Sequence, residues 1–273
     1  MSVYSPSQTA VFKECPLSWW LRYNSRYVPR TYNQKEIAGA VGSAFSTYQE
    51  YIDKGHDAAL EIGREDLVRM LADLDATREL SERAVNYKMT AEGRYEKFCE
   101  LYQREPKIPR SWTMFDRERS FLEHGNCRVD SMYETSMGEL GVLDFKTRGR
   151  IQANQRDKAR RDFATSDQMY HYCWAASEVY GQPITQFSIL ILTLEPKPWI
   201  DLWQYRVRDE FMKVWIAGRR QDWWDMDQIK AGNRTPTPAS VHENKFGQCQ
   251  YYDVCFKHGF VEEHVQQDFV IRQ

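Results

Sequence analysis

The 273-residue chain lacks any apolar run near the ~20 residues that a membrane-spanning helix needs, so no helix across a bilayer is expected. It also lacks an excess of charge of either sign. Lys and Arg number 37 against 39 Asp and Glu, a net of -2, so the chain as a whole is no basic coat for a polyanion. A local groove needs no such excess. The amino terminus, MSVYSPSQTA, lacks the basic-then-apolar order of a signal peptide. The expectation is a cytoplasmic protein with reduced thiols and no membrane partner. In that setting the six cysteines point to burial or metal binding rather than disulfides. What is present is ordinary globular material, 42% hydrophobic and 28% charged, enough for a single domain over 1–273.

The informative stretch is Trp112–Thr147, which reads as three strands: Trp112–Leu122, Cys127–Glu134 and Glu139–Thr147. Ser136-Met137-Gly138 supplies the turn before the third. Asp130 falls within the second strand, and Asp144 and Lys146 lie two apart in the third, on one face. Antiparallel pairing across the turn brings Asp130 beside Asp144. Two carboxylates and an ammonium at the mouth of a sheet suit a hard cation, Mg²⁺ or Mn²⁺, with a positive group to steady developing charge. Taken alone, an Asp-x-Lys triplet is more often a surface ion pair worth little.

Around this core lie a helix opened by Ser5-Pro6 and interrupted at Pro16, then a helix over Gln34–Lys54 stopping at Gly55. Two helices follow within Arg64–Arg104. Arg148–Arg161 holds six basic residues against one acidic, a solvated segment or a hold for phosphates. Asp167–Tyr180 reads as a helix that puts Gln168 and Tyr172 on one face. Ile184–Leu194 reads as a strand buried on both faces, Trp199–Val207 as its edge neighbour, and Arg208–Lys230 as a helix.

The order Arg-Val-Asp130, then Asp144-Phe-Lys146-Thr147, then Gln168-x-x-x-Tyr172 resembles the PD-(D/E)XK nucleases, in particular their RecB-type branch with CRISPR-associated and phage exonuclease relatives. The resemblance implies an α/β fold with a restriction-endonuclease-like core: a mixed central sheet of four or five strands flanked by helices. It implies a helical segment over 34–105, a catalytic core over 110–230, and ends (1–30 and 240–260) joined by a metal staple. It implies a DNA nuclease, acting from ends, in replication, recombination or repair, with a helicase or single-strand annealing protein as partner. In that reading Asp130, Asp144 and the Phe145 carbonyl hold Mg²⁺ or Mn²⁺, and Lys146 and Glu118 complete the catalytic set. Gln168, Tyr172, Arg148, Arg150 and Arg156 hold substrate. Cys15, His242, Cys249 and Cys255 are the staple ligands, for a [4Fe–4S] cluster or zinc. Apolar packing of Tyr251, Tyr252 and Phe256 without metal is the alternative staple. Two positions depart from the branch: Phe45 stands where a metal-binding histidine is expected, and Phe246 where a cysteine is. They motivate a competing reading, a nucleic-acid-binding protein on a decayed nuclease scaffold.

Overall fold

The computed structural model describes residues 2–105, 107–125, 127–195, 197–238, 243–244, 247–248, 250–256, 265 and 269–271. Two compact units emerge: residues 32–122 with 127–213, and residues 1–31, 123–126 and 214–273.

The first unit is a five-stranded mixed sheet covered by helices. Helix α1 (Gln34–Asp53) opens on a capping box: Asn33 Oδ1 accepts from Lys35 N at 2.8 Å, and Glu36 Oε2 accepts from Asn33 N at 3.1 Å. Ile37, Val41, Ala44, Phe45 and Tyr48 recur at three- and four-residue steps, and this stripe is buried. The chain turns away through Gly55, at a φ of 76° that favours glycine. Helices α2 (Ala59–Thr77) and α3 (Ala91–Arg104) pack their apolar faces into the same core.

Of the three strands expected between Trp112 and Thr147, the first two are each broken. Thr113–Phe115 (β1) and Arg119–Phe121 (β2) are separated by a turn, as are Cys127–Val129 (β3) and Ser131–Glu134 (β4). β2 pairs with β3 apart from the main sheet. Asp130 therefore sits at a bend between two strands rather than inside one. The third strand, β5 (Leu140–Arg150), runs three residues past its expected end. With β6 (Gln186–Glu195) and β7 (Trp199–Arg206), the sheet order is β7-β6-β5-β4-β1, β5 and β6 being parallel. Helices α4 (Arg156–Ala164) and α5 (Asp167–Tyr180) make the crossover between them.

Alternation along β5 sorts its side chains. Leu143 and Phe145 enter the core with α1, α2 and α3, so Asp144 and Lys146 project from the opposite face. Register is enforced at Gly141, which pairs with Tyr133 across the ladder. A Cβ there would lie 2.3 Å from the Tyr133 ring, whose hydroxyl shares a 3.0 Å hydrogen bond with Ser188 Oγ. Trp112 stacks on that ring, centroids 3.8 Å apart.

In the second unit Pro16 ends the first helix as expected. Pro6–Glu14 stops, Cys15 is extended, and Pro16–Trp19 starts afresh. Trp19 is buried edge-to-face against Tyr4 and Phe12. The short strand Tyr27–Pro29 pairs with Phe269–Ile271, and the Tyr251 hydroxyl donates to the Tyr27 carbonyl at 2.7 Å. None of the described helices is long and apolar enough to cross a membrane.

Candidate functional site

β4 pairs with β5 only as far as Ser131 opposite Leu143. Beyond it the chain bends, and the Asp130 carboxylate takes over: its Oδ2 accepts from Phe145 N at 2.7 Å. A side chain supplies the acceptor that a continuing strand would have offered as a carbonyl. The same bond draws Asp130 towards Asp144, the preceding residue on β5. Asp144 is 1% exposed. Burial first, then the neighbouring Asp144 charge, push the Asp130 carboxyl from the ordinary 3.8 up to about 8. Burial raises Asp144 as well, against the pull of Lys146 and Arg148.

Lys146 Nζ lies 2.7 Å from Asp144 Oδ2 and donates to Gln168 Oε1 at 3.2 Å. Gln168 Nε2 in turn donates to the Tyr172 hydroxyl at 2.6 Å. Asp144, Lys146, Gln168 and Tyr172 thus form one polar chain between β5 and α5. Burial first, then the charges of Asp144 and Asp130, raise the Tyr172 phenol well above its usual range, so it stays a neutral hydroxyl.

Glu118 approaches by another route. It lies in the turn between β1 and β2, where Asp116 and Glu118 have φ of 43° and 51°, a region that strains a non-glycine backbone. Several contacts hold this turn. Asp116 accepts from the Tyr180 hydroxyl, Arg117 pairs with Asp53 at the end of α1, and Glu118 N donates to the Asp130 carbonyl at 3.0 Å. The Glu118 carboxylate meets Arg128 Nε at 2.8 Å. Its pKa is raised, by burial first and also by Glu50 and Asp144. Asp53, Asp116, Arg117 and Tyr180 were not picked out from the sequence, because nothing in a run such as Asp-Arg-Glu announces a left-handed backbone.

The basic residues separate. Arg148 continues the Asp144–Lys146 face of β5, with its guanidinium 5.9 Å from the Phe163 ring centre. Arg150 ends β5, opposite Glu195 in backbone register. Arg156 stacks on Trp199 at 3.8 Å, which ties α4 to β7. Phe45 is wholly buried among Phe98, Tyr48 and Tyr102. It belongs to the core. Gly42 of α1 lies close to β5: a Cβ there would stand 3.1 Å from Thr147 Oγ1.

Asp130, half-buried, and Asp144, buried, offer hard oxygen donors, and a bound cation would offset the repulsion between them. Among the described residues no three of His, Cys, Asp and Glu are grouped closely enough to hold a metal by themselves. A pair of carboxylates with open positions suits Mg²⁺ or Mn²⁺, which keep waters or substrate oxygens in their shell.

At the chain ends, His242 and Cys249 (and Phe246) lie outside the described residues. Cys15 is buried and Cys255 half-buried in one apolar cluster with Leu17, Leu21, Tyr251, Val254 and Phe269. Cys15 Sγ accepts from Ser18 N at 3.4 Å. Apolar packing and strand pairing join the described ends.

Residues 3–256 match the family model of the PD-(D/E)XK nuclease superfamily. Among solved structures, a crystal structure of a presumed exonuclease from Eubacterium rectale is similar, with 14% identity and a TM-score of 0.50 over 92% of this chain and 88% of that one. At that identity the likeness speaks for the fold. No curated protein matches the chain.

Proposed function

Because the chain belongs to the PD-(D/E)XK nuclease superfamily, we propose that it is an active Mg²⁺- or Mn²⁺-dependent deoxyribonuclease that hydrolyses phosphodiester bonds from DNA ends. The observation that carries this is Lys146 Nζ at 2.7 Å from the buried Asp144, with Asp130 hydrogen-bonded to the very next residue. Asp130, Asp144 and the Phe145 carbonyl are the groups that would hold the cation. When bound, such a cation polarises the scissile phosphate and lowers the pKa of a water.

The chain's own residues do the rest. Lys146, oriented by Gln168 and Asp144, places a fixed positive charge where an attacking water or a charged phosphate oxygen would sit. Tyr172, kept neutral, orients the Gln168 amide. Glu118 adds negative charge beside the carboxylate pair. Arg148 extends the positive face along β5, and α4 offers Lys158, Arg160 and Arg161 to the substrate backbone.

The decayed-scaffold reading drew on Phe45 and Phe246; Phe246 lies outside the described residues, and Phe45 serves the core of the helical layer, which weighs against the first ground. End-labelled single- and double-stranded DNA, with Mg²⁺, Mn²⁺ or EDTA, tests the proposal against Asp144→Asn. Cation-dependent shortening from an end that disappears in the variant is the expected result. DNA binding without cleavage under either cation would replace it with the binding-protein reading.

A further inference from the structure

On the opposite side of the sheet from Asp144 and Lys146, α3, Leu194 near the end of β6 and Pro198 just before β7 line an open cleft of about 730 Å³. Arg94, Lys97, Leu101 and Arg104 line it from α3 at steps of three, four and three, so they share one helix face about 15 Å long. Three cations and one acid, Glu100, line the cleft, and Arg104 also pairs with Glu105 at 3.1 Å. The floor is apolar, from Leu101, Leu194 and Pro198. Arg94 is fixed over the Tyr87 ring at 4.4 Å. None of these residues takes part in the site described above.

The register of the sheet relates the two places. Asp144 stands opposite Ile189, and Leu194 lies five residues further towards the carboxyl end of β6, about 17 Å along the strand. A stacked nucleic-acid strand rises about 3.4 Å per nucleotide, so this component along the strand alone spans about five nucleotides, and passing over the edge of the sheet to its other face takes more. A row of cations over an apolar floor matches a strand that shows phosphates on one side and sugars and bases on the other.

We propose that this cleft on α3 is a second anchoring site for the substrate strand, gripping single-stranded nucleic acid more than about five nucleotides from the reacting phosphate. The proposal rests on the nuclease reading for the identity of the polyanion, and its test keeps the two apart. Binding of a fluorescent oligothymidylate of about twenty nucleotides is followed by anisotropy in EDTA, where no cleavage occurs. In Lys97→Glu/Arg104→Glu the affinity should fall at least about tenfold. The slope of log affinity against log salt should shrink by roughly 1.4, two contacts at about 0.7 each. A charge-matched control at exposed positions elsewhere, Lys35→Glu/Arg83→Glu, should change affinity less than about twofold. The Mn²⁺-induced rise in melting temperature should be unchanged in both variants, showing an intact fold and carboxylate pair. Equal loss in the control, or less than about a twofold loss in the cleft variant, overturns the proposal. So does competition for the cleft by polyglutamate that leaves oligothymidylate bound, which would make it a docking place for an acidic protein. Failure of the wild-type protein to bind any oligonucleotide would instead remove the nuclease reading itself.

Discussion

Asp130 accepts the Phe145 amide proton and faces Asp144 at the same time, and the two duties oppose each other in the metal-free protein. Burial and the Asp144 charge raise its carboxyl from the ordinary 3.8 to about 8 in the fold. Between those values the unfolded chain binds fewer protons than the native one, so stability from this group falls as pH rises and levels off above 8. Asp130→Asn should therefore melt above wild type at pH 8 without metal, with the gap narrowing towards pH 4. Mn²⁺ should raise the wild-type melting temperature more at pH 8 than at pH 5.5 and leave the variant unmoved. A wild-type curve parallel to that of Asp130→Asn across this range would contradict the assignment. Lys146→Met should cut cleavage by about a hundred- to a thousandfold, as removal of a charge-stabilising group does elsewhere, with oligonucleotide affinity in EDTA nearly unchanged. An active Lys146→Met enzyme would move the chemistry to another residue.

At the scale of elements, β5 was legible because its Leu-x-Val-Leu-x-Phe pattern and the Gly138 turn are local signals. The breaks at Asp116–Glu118 and Asp130 were not. Local pattern favours continuous strands there; Tyr180 on Asp116 and Asp53 on Arg117 hold the first break, and the Phe145 amide on the Asp130 carboxylate holds the second. That turn is where a positioning role can be separated from a structural one. Arg117→Ala should raise the Mn²⁺ concentration needed for half-maximal thermal stabilisation several-fold, and Glu118→Gln should do the same. If Arg117 acts through Glu118, the double variant is no worse than the worse single one; additive effects would mean that it does not. Gly141→Ala meets the Tyr133 ring directly and should cost about 1–3 kcal/mol in urea unfolding.

For the whole molecule, the family and its mixed sheet were readable because Asp130, Asp144, Lys146, Gln168 and Tyr172 keep an order and spacing that chance seldom gives together. For the joining of the chain ends the sequence left two routes open, a metal on Cys15, His242, Cys249 and Cys255 or apolar packing of Tyr251, Tyr252 and Phe256. His242 and Cys249 lie outside the described residues, and among those described Tyr251 shares an apolar cluster with Val254 and Phe269. Phe269 is 5% exposed and its ring lies 5.2 Å from that of Tyr251. Phe269→Ala should cost about 3 kcal/mol by denaturant unfolding while the Mn²⁺ shift persists in the folded fraction, and a cost below about 1 kcal/mol would show that this contact does not hold the ends. The rung between Phe145 and Asp130 has a use of its own in such experiments. Its amide proton points at a carboxylate that gains or loses charge with pH and cation, so one backbone resonance, Phe145 in an isotope-labelled sample, is a built-in spectroscopic gauge of the site. Its chemical shift should follow the Asp130 titration, and its solvent exchange should slow when Mg²⁺ is added.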